Sequence, residues 1–309
     1  MELFTSIVVP VVTLVVIFLF SIQKFSRQVS IIAGEGFKRA VSSATKTPLR
    51  GMLSGMGFTA LVQSSTATTV ILVGMVDAGL ITFAHSLGVI VGANIGSTIT
   101  SQLVALETVN IAPAFVLLGF IIHQLGGAYK KWGKPIFYFG LLFFTLSLIS
   151  FYIEPIKNNP AIISIFSGID TVYAGILVGL IFTAIVQSSG VASGLVVILV
   201  ASGILNIEQG VAIILGANIG TTATALIVSL TLGENAKKAA VAHLLFNVIG
   251  VLLFLPFIRG FTDLVSLLGG SSEQVVANTH LIFNILSAIV ALIFLKFFER
   301  MVEKVAARA

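Results

Sequence analysis

Cysteine is absent from the 309 residues and charge is scarce. Without a thiol the chain can form no disulfide and no thiolate metal site. Charged side chains are 9% of the total, against roughly 25% in an ordinary soluble domain. Apolar residues are 57%, and mean hydropathy is +1.11. These values, with long uncharged runs, exclude an ordinary soluble fold, since about 20 apolar residues cross a bilayer as a helix. The first run, Phe4 to Ile22, has Glu2 in front and Lys24 and Arg27 behind. A secretory leader carries its basic residues in front, so this run is expected to be a retained spanning helix. The net charge of +5 is explained by membrane topology rather than by an acidic partner, and nucleic acid is not expected as one.

What the chain does contain is a duplication. Gly51 to Thr100 recurs as Gly175 to Thr224 at an offset of 124 residues, without a gap and with about 21 of 50 positions identical. The first copy holds Gln63-Ser64-Ser65-Thr66 and then Gly92-Ala93-Asn94-Ile95-Gly96-Ser97-Thr98. The second holds Gln187-Ser188-Ser189-Gly190 and then Gly216-Ala217-Asn218-Ile219-Gly220-Thr221-Thr222.

In chain order, Ser30–Lys46 reads as an amphipathic surface helix. Pro48–Ala78 is two short apolar halves around Gln63 to Thr66. Each half, about 14 residues, is short for a span, which suits a re-entrant hairpin. Thr82–Leu106 reads as a discontinuous helix unwound at Gly92 to Gly96, a backbone tolerated at membrane depth only inside protein or against a wet cavity. Ile111–Leu125 and Pro135–Tyr152 cross, with a basic loop between them. The second copy repeats the order: Pro160–Gly168 at the surface, Thr171–Ser202 a hairpin, Ile207–Leu230 a broken helix, Lys237–Ile258 a crossing. Arg259–Ser272 is a loop, and Val276–Phe298 crosses last. Three crossings separate the hairpins, so the copies enter from opposite faces. Fifteen of the 17 Lys and Arg then fall on one side, with only Lys157 and Arg259 on the other. The crowded side is cytoplasmic by the positive-inside rule. The expected fold is therefore an all-α polytopic membrane protein, an inverted-topology repeat with two re-entrant helical hairpins and two discontinuous transmembrane helices. Residues 1–134 form one half, 135–258 the other, and 259–309 a final span and tail. It sits in the plasma (inner) membrane with the N-terminus outside and the C-terminus cytoplasmic.

Inverted repeats with broken helices are the pattern of secondary transporters. A hairpin tip at mid-membrane leaves unpaired N–H groups at one helix start, which suit an anion, and unpaired C=O groups at another helix end, which suit a small hard cation. Gln63, Ser64, Ser65 and Thr66 supply amide and hydroxyl ligands at one tip, and Gln187, Ser188 and Ser189 at the other. Asn94, Ser97, Thr98, Asn218, Thr221 and Thr222 are expected to line the breaks facing those tips. No Lys or Arg falls at membrane depth within either copy, so an anion would be held by N–H groups, hydroxyls, amides and co-bound cations. Asp77 aligns with Ala201 and is given no role there. An isolated Ser-Ser pair would read as helix packing. Gln and Asn are costly in hydrocarbon and gain nothing as spacers, so their paired recurrence reads as a ligand set.

His85 and His123 have no match in the repeat and read as interfacial or packing residues. His243 with Asn247, and His280 with Asn284, share the form His-x-x-Phe-Asn, which puts His and Asn on one helix face. They read as supporting hydrogen-bonded pairs that stitch helices together. With no carboxylate or Cys beside them, a transition-metal site is not expected.

At these motifs the chain resembles the type II sodium/phosphate cotransporter family in its compact bacterial form, over roughly Phe4 to Phe298. The family's hallmark is a pair of Gln-Ser-Ser hairpins, each followed by Gly-Ala-Asn-Ile-Gly-Thr. The resemblance implies an alternating-access symporter that imports inorganic phosphate with Na⁺ as coupling ion, with no other cofactor and with the lipid bilayer as its surroundings. Self-association as a homodimer stays open. Many relatives show a third Ser where Thr66 and Gly190 stand, so the two tips differ in ligand count. Many bacterial relatives also append a cytoplasmic helical domain, whereas this sequence stops at Ala309, as a short or truncated form would. The alternatives are a Na⁺-coupled transporter of sulfate, arsenate or a dicarboxylate, and, from another class, a membrane enzyme or scaffold. An enzyme would need a base or metal beside Ser64, Ser65, Ser188 or Ser189, and none is expected at their depth.

Overall fold

The structure, a computed structural model, describes residues 4–44, 47–106 and 111–307. Glu2, Lys46, Arg308 and Ala309 lie outside the described residues. Among the described residues all regular structure is helical. Six helical stretches among the described residues are long and apolar enough to cross a membrane: Ser6–Ser43, Phe83–Ala105, Lys130–Ile156, Ile207–Ser229, Glu234–Ser266 and Ser272–Ile293.

Helix α1 runs unbroken over Val9–Ala44, 36 residues. The expected division into a span ending at Ile22 and a surface helix from Ser30 is therefore wrong. No Gly or Pro stands between Ile22 and Ser30, so nothing stops the helix. Packing holds its second half: Phe37 stacks on Phe58 at 3.9 Å between ring centroids, and Val41 is fully buried. Lys24 and Arg27, placed after the first span by sequence, are inside this helix.

The first copy folds as α2 (Pro48–Val62), α3 (Ser65–Asp77), α4 (Phe83–Ser97) and α5 (Ile99–Ala105). Thr47 caps α2 and Pro48 opens it, as a fixed φ and a missing N–H suit a first turn. α2 and α3 fold back on each other, with the hydroxyls of Thr59 and Thr68 2.7 Å apart. Then come α6 (Ala112–Leu125), α7 (Lys130–Ile153) and α8 (Pro160–Ser167). α6 and α7 pack antiparallel through Gly119, Gly133 and Gly140, where a Cβ would overlap the facing backbone. α6, 14 residues, is shorter than the six candidate spans.

The second copy gives α9 (Val172–Val186), α10 (Ser189–Ala201), α11 (Ile207–Gly220) and α12 (Ala223–Ser229). The packing of the copies repeats at the sequence offset. A Cβ on Gly55 would overlap the Val89 carbonyl, and one on Gly179 the Ile213 carbonyl. Gly92 and Gly96 meet the Met52 and Met56 carbonyls as Gly216 and Gly220 meet those of Ile176 and Leu180. α9 turns Leu177, Ile181 and Ile185 outward, an exposed apolar stripe that suits lipid.

The chain closes with α13 (Glu234–Phe254), α14 (Ile258–Ser266), α15 (Ser272–Ile293) and α16 (Leu295–Ala306). The loop expected at Arg259–Ser272 contains α14, because the left-handed glycines, Gly269 and Gly270, come only after it. Arg259 ties it to α11 through Glu208 at 2.7 Å. Asp77 accepts the Gly233 N–H at 2.7 Å, fastening the end of α3 to the turn before α13.

Candidate functional site

Each helix–turn–helix tip is built by two residues. Gln63 ends α2 with φ 57° and Gln187 ends α9 with φ 60°. Among the described residues these are the only non-glycines with positive φ. The conformation costs an L side chain on the order of 1 kcal/mol. Glycine would stop the helices without that strain, so the amide side chains are what both turns retain. Ser64 and Ser188 then cap α3 and α10, their Oγ atoms accepting from Ala67 N at 3.1 Å and Val191 N at 3.4 Å. The first-turn amides left over carry the positive end of each helix dipole.

The tips meet. Thr66 Oγ1 donates to the Gln187 carbonyl at 3.1 Å, across 121 positions of sequence. Gln63, Ser64 and Thr66 share one cavity of about 450 Å³ with Gln187 and Ser188. Ser65 and Ser189 are buried behind them. The two glutamines differ. Gln63 is buried: its amide NH₂ donates to the Ala60 carbonyl and its Oε1 accepts from Thr100 Oγ1 at 2.7 Å. Gln187 is exposed to the cavity. Gly190, the departure from a third serine, lies against Thr100, whose Oγ1 would stand 3.1 Å from an added Cβ.

The helix breaks are displaced from their expected place. Gly92 to Gly96 and Gly216 to Gly220 are helical, and the interruptions come at Thr98 and at Thr221–Thr222. Thr98 and Thr222 keep right-handed φ and ψ, so the helices are offset there rather than unwound. The glycines are needed for close crossing instead. Asn94, Ser97, Thr98 and Thr222 bond to carbonyls of their own helices, and none of them bonds to a tip. Asn218 Nδ2 and Thr221 Oγ1 are buried with no partner among the described residues.

His280 does stitch helices. Its ring bridges Ser101 Oγ of α5 at 3.0 Å and Asn218 Oδ1 of α11 at 3.2 Å. The Ser101 hydroxyl also donates to the Thr98 carbonyl at 2.9 Å. Asn247 and Asn284 do not pair with histidine rings: each donates 2.9 Å to the backbone carbonyl of its His four residues back. His243 is fully buried and neither ring nitrogen has a partner among the described residues.

Sequence reading missed the start of α5. Thr100 reaches Gln63, Ser101 reaches His280, and Gln102 donates to Asn278 at 3.2 Å and accepts from Gln274 at 3.1 Å. Thr100 is the last identical position of the repeat, which was the available signal. The polar face of α1 along the cavity was missed as well.

The geometry defines a class: a multi-pass helical membrane protein whose duplicated polar turns meet at one cavity. The Na⁺/Pi-cotransporter family model matches residues 17–150 and 162–270. The chain belongs to that family, which is one of transporters and not of enzymes. It is 32% identical over 262 residues to the uncharacterized protein YqeW of Bacillus subtilis, covering 84% of this chain and 85% of that one. It is 29% identical over 220 residues to the putative inorganic phosphate export protein YjbB of Escherichia coli, covering 70% of this chain and 40% of that longer one. Human sodium-dependent phosphate transport protein 2B is 41% identical over 90 residues, 28% of this chain and 13% of that protein. No solved structure gives a significant match.

Proposed function

We propose that this chain is a sodium-coupled symporter of inorganic phosphate that works by alternating access, with the α2–α3 and α9–α10 units as re-entrant hairpins entering from opposite faces. The observation that carries the reading is the Thr66–Gln187 contact, which joins the two tips at one cavity. Two capped helix starts beside that cavity favour a small anion. The glutamine carbonyls, the hydroxyls of Ser65 and Ser189, and the orphaned hydroxyl of Thr221 are suitable neighbours for Na⁺. Phosphate and Na⁺, rather than another anion and ion, follow from the family and from the printed names of its phosphate-transporting members.

The crossing count and the distribution of basic residues support the inverted halves. With Lys24, Arg27, Lys38 and Arg39 all inside α1 and set aside, the split remains eleven to two. Direction has a second reading. The relative YjbB is named for phosphate export, and a symporter runs either way according to its gradients. The tips test the proposal. In proteoliposomes, Gln63→Ala, Ser65→Ala, Gln187→Ala and Ser189→Ala should each lose Na⁺-driven ³²P-phosphate uptake while remaining monodisperse in detergent. Normal accumulation by folded variants would overturn it. Reversing the Na⁺ gradient decides the working direction, and competition by sulfate, arsenate or a dicarboxylate decides the anion.

A further inference from the structure

The third wall of the tip cavity is α1, and it carries a cation. Gln23, Ser26, Arg27 and Ser30 line the cavity together, at positions i, i+3, i+4 and i+7, one face of a helix. Ser26 is buried, and the Ser30 hydroxyl is buried without a partner among the described residues. Among the described residues no carboxylate forms an ion pair with Arg27.

The position of Arg27 along the helix matters. α1 is 36 residues long, about 54 Å at 1.5 Å per residue, far more than the ~30 Å hydrocarbon core. Arg27 is at its middle, level with the two tips. An ionised side chain at that depth is expected to face protein or a wet cavity, and this one faces the cavity. The second copy carries no such charge. At the 124-residue offset the same face of α7 holds Ser147, Ser150 and Phe151, with Phe151 where α1 has Arg27. The cation therefore belongs to one half alone and is no product of the duplication.

We infer that Arg27 is the fixed positive charge that recognises the transported anion at the paired tips. A guanidinium offers planar paired donors that match two oxygens of a tetrahedral oxyanion, and without a carboxylate partner its charge is free for that ligand. Gln23 and Ser26 flank it as neutral donors. This rests on the proposed transport reading. It corrects the expectation that helix amides, hydroxyls and co-bound cations are the anion's whole environment.

The absence of cysteine makes the test direct. In proteoliposomes with an inward Na⁺ gradient, Arg27→Gln should raise the KM for phosphate at least tenfold and leave the KM for Na⁺ within about twofold, with Arg27→Lys between the two. Arg27→Cys gives a single thiol. Saturating phosphate should slow its modification severalfold, and an aminoethyl thiosulfonate, which restores a positive charge, should recover affinity where a neutral methyl reagent does not. The thiol readout needs only phosphate binding by folded protein, so it stands if Arg27→Gln inserts poorly. An unchanged KM for phosphate in Arg27→Gln, or a modification rate insensitive to phosphate, overturns the assignment. If Gln63→Ala alone abolishes uptake in the same preparation, the tip site survives and only Arg27 falls. If Gln63→Ala is also normal, the tip site itself is wrong.

Discussion

Gln63 and Gln187 share a backbone conformation and differ in what surrounds them. Gln63 is buried, with Oε1 on Thr100, and Gln187 faces the cavity. Thr100→Val should leave a buried amide oxygen unpaired and cost about 1–3 kcal/mol, read as a lowered midpoint of thermal unfolding in detergent. Gln187→Ala should leave that midpoint nearly unchanged. An equal loss in both would mean that the side chains are structural in both halves. His280→Ala leaves Ser101 and Asn218 without their shared partner, and its stability should fall by a similar amount. At this scale the motif residues were legible because Gln and Asn in hydrocarbon demand a reason. Their partners were not, because Thr100 and Ser101 look like any small polar residue of a membrane helix until the fold brings Gln63 and His280 to them.

At the scale of the element, glycine misled. Gly88, Gly92 and Gly96 follow one another at i+4, and a cluster of glycines reads equally as a break or as a contact face. The structure uses them as the contact face: each would drive a Cβ into a backbone carbonyl of α2. The interruption comes at Thr98 instead. Gly92→Ala or Gly216→Ala should therefore push two helices apart and destabilise by about 1–3 kcal/mol or more. Gly57→Ala and Gly74→Ala, which meet nothing within 4 Å, should be neutral or stabilising by up to about 1 kcal/mol. Thermal unfolding of the four purified variants checks this, and equal behaviour would contradict the packing role. The continuity of α1 was hidden for a related reason. Gln23, Ser26 and Arg27 look like the polar end of a span when read as a string. They are one polar face of a longer helix when read at its period.

For the whole molecule the duplication was the legible feature, and the repeated glycine contacts at the same offset are its three-dimensional counterpart. How the tips meet was not legible, since a Thr side chain bonding a Gln carbonyl 121 residues away has no local signature. The proposed topology predicts which face each loop reaches. In the cysteine-free background, a thiol placed at Lys131 or Lys237 should react with an impermeant reagent only from the cytoplasmic side, and one at Gly269 only from outside. Labelling of Lys131 and Gly269 from the same side would break the crossing count. The central claim is that two turns form one site coupling Na⁺ to phosphate. Its most direct measurement is ³²P-phosphate accumulation by the purified chain in proteoliposomes, driven by an inward Na⁺ gradient and compared with an equal K⁺ gradient in excess sulfate. The account predicts accumulation above equilibrium with Na⁺ alone, undiminished by sulfate and lost in Ser65→Ala and Ser189→Ala. Equal phosphate entry under both gradients, or accumulation by both serine variants at the parent's level, would contradict it.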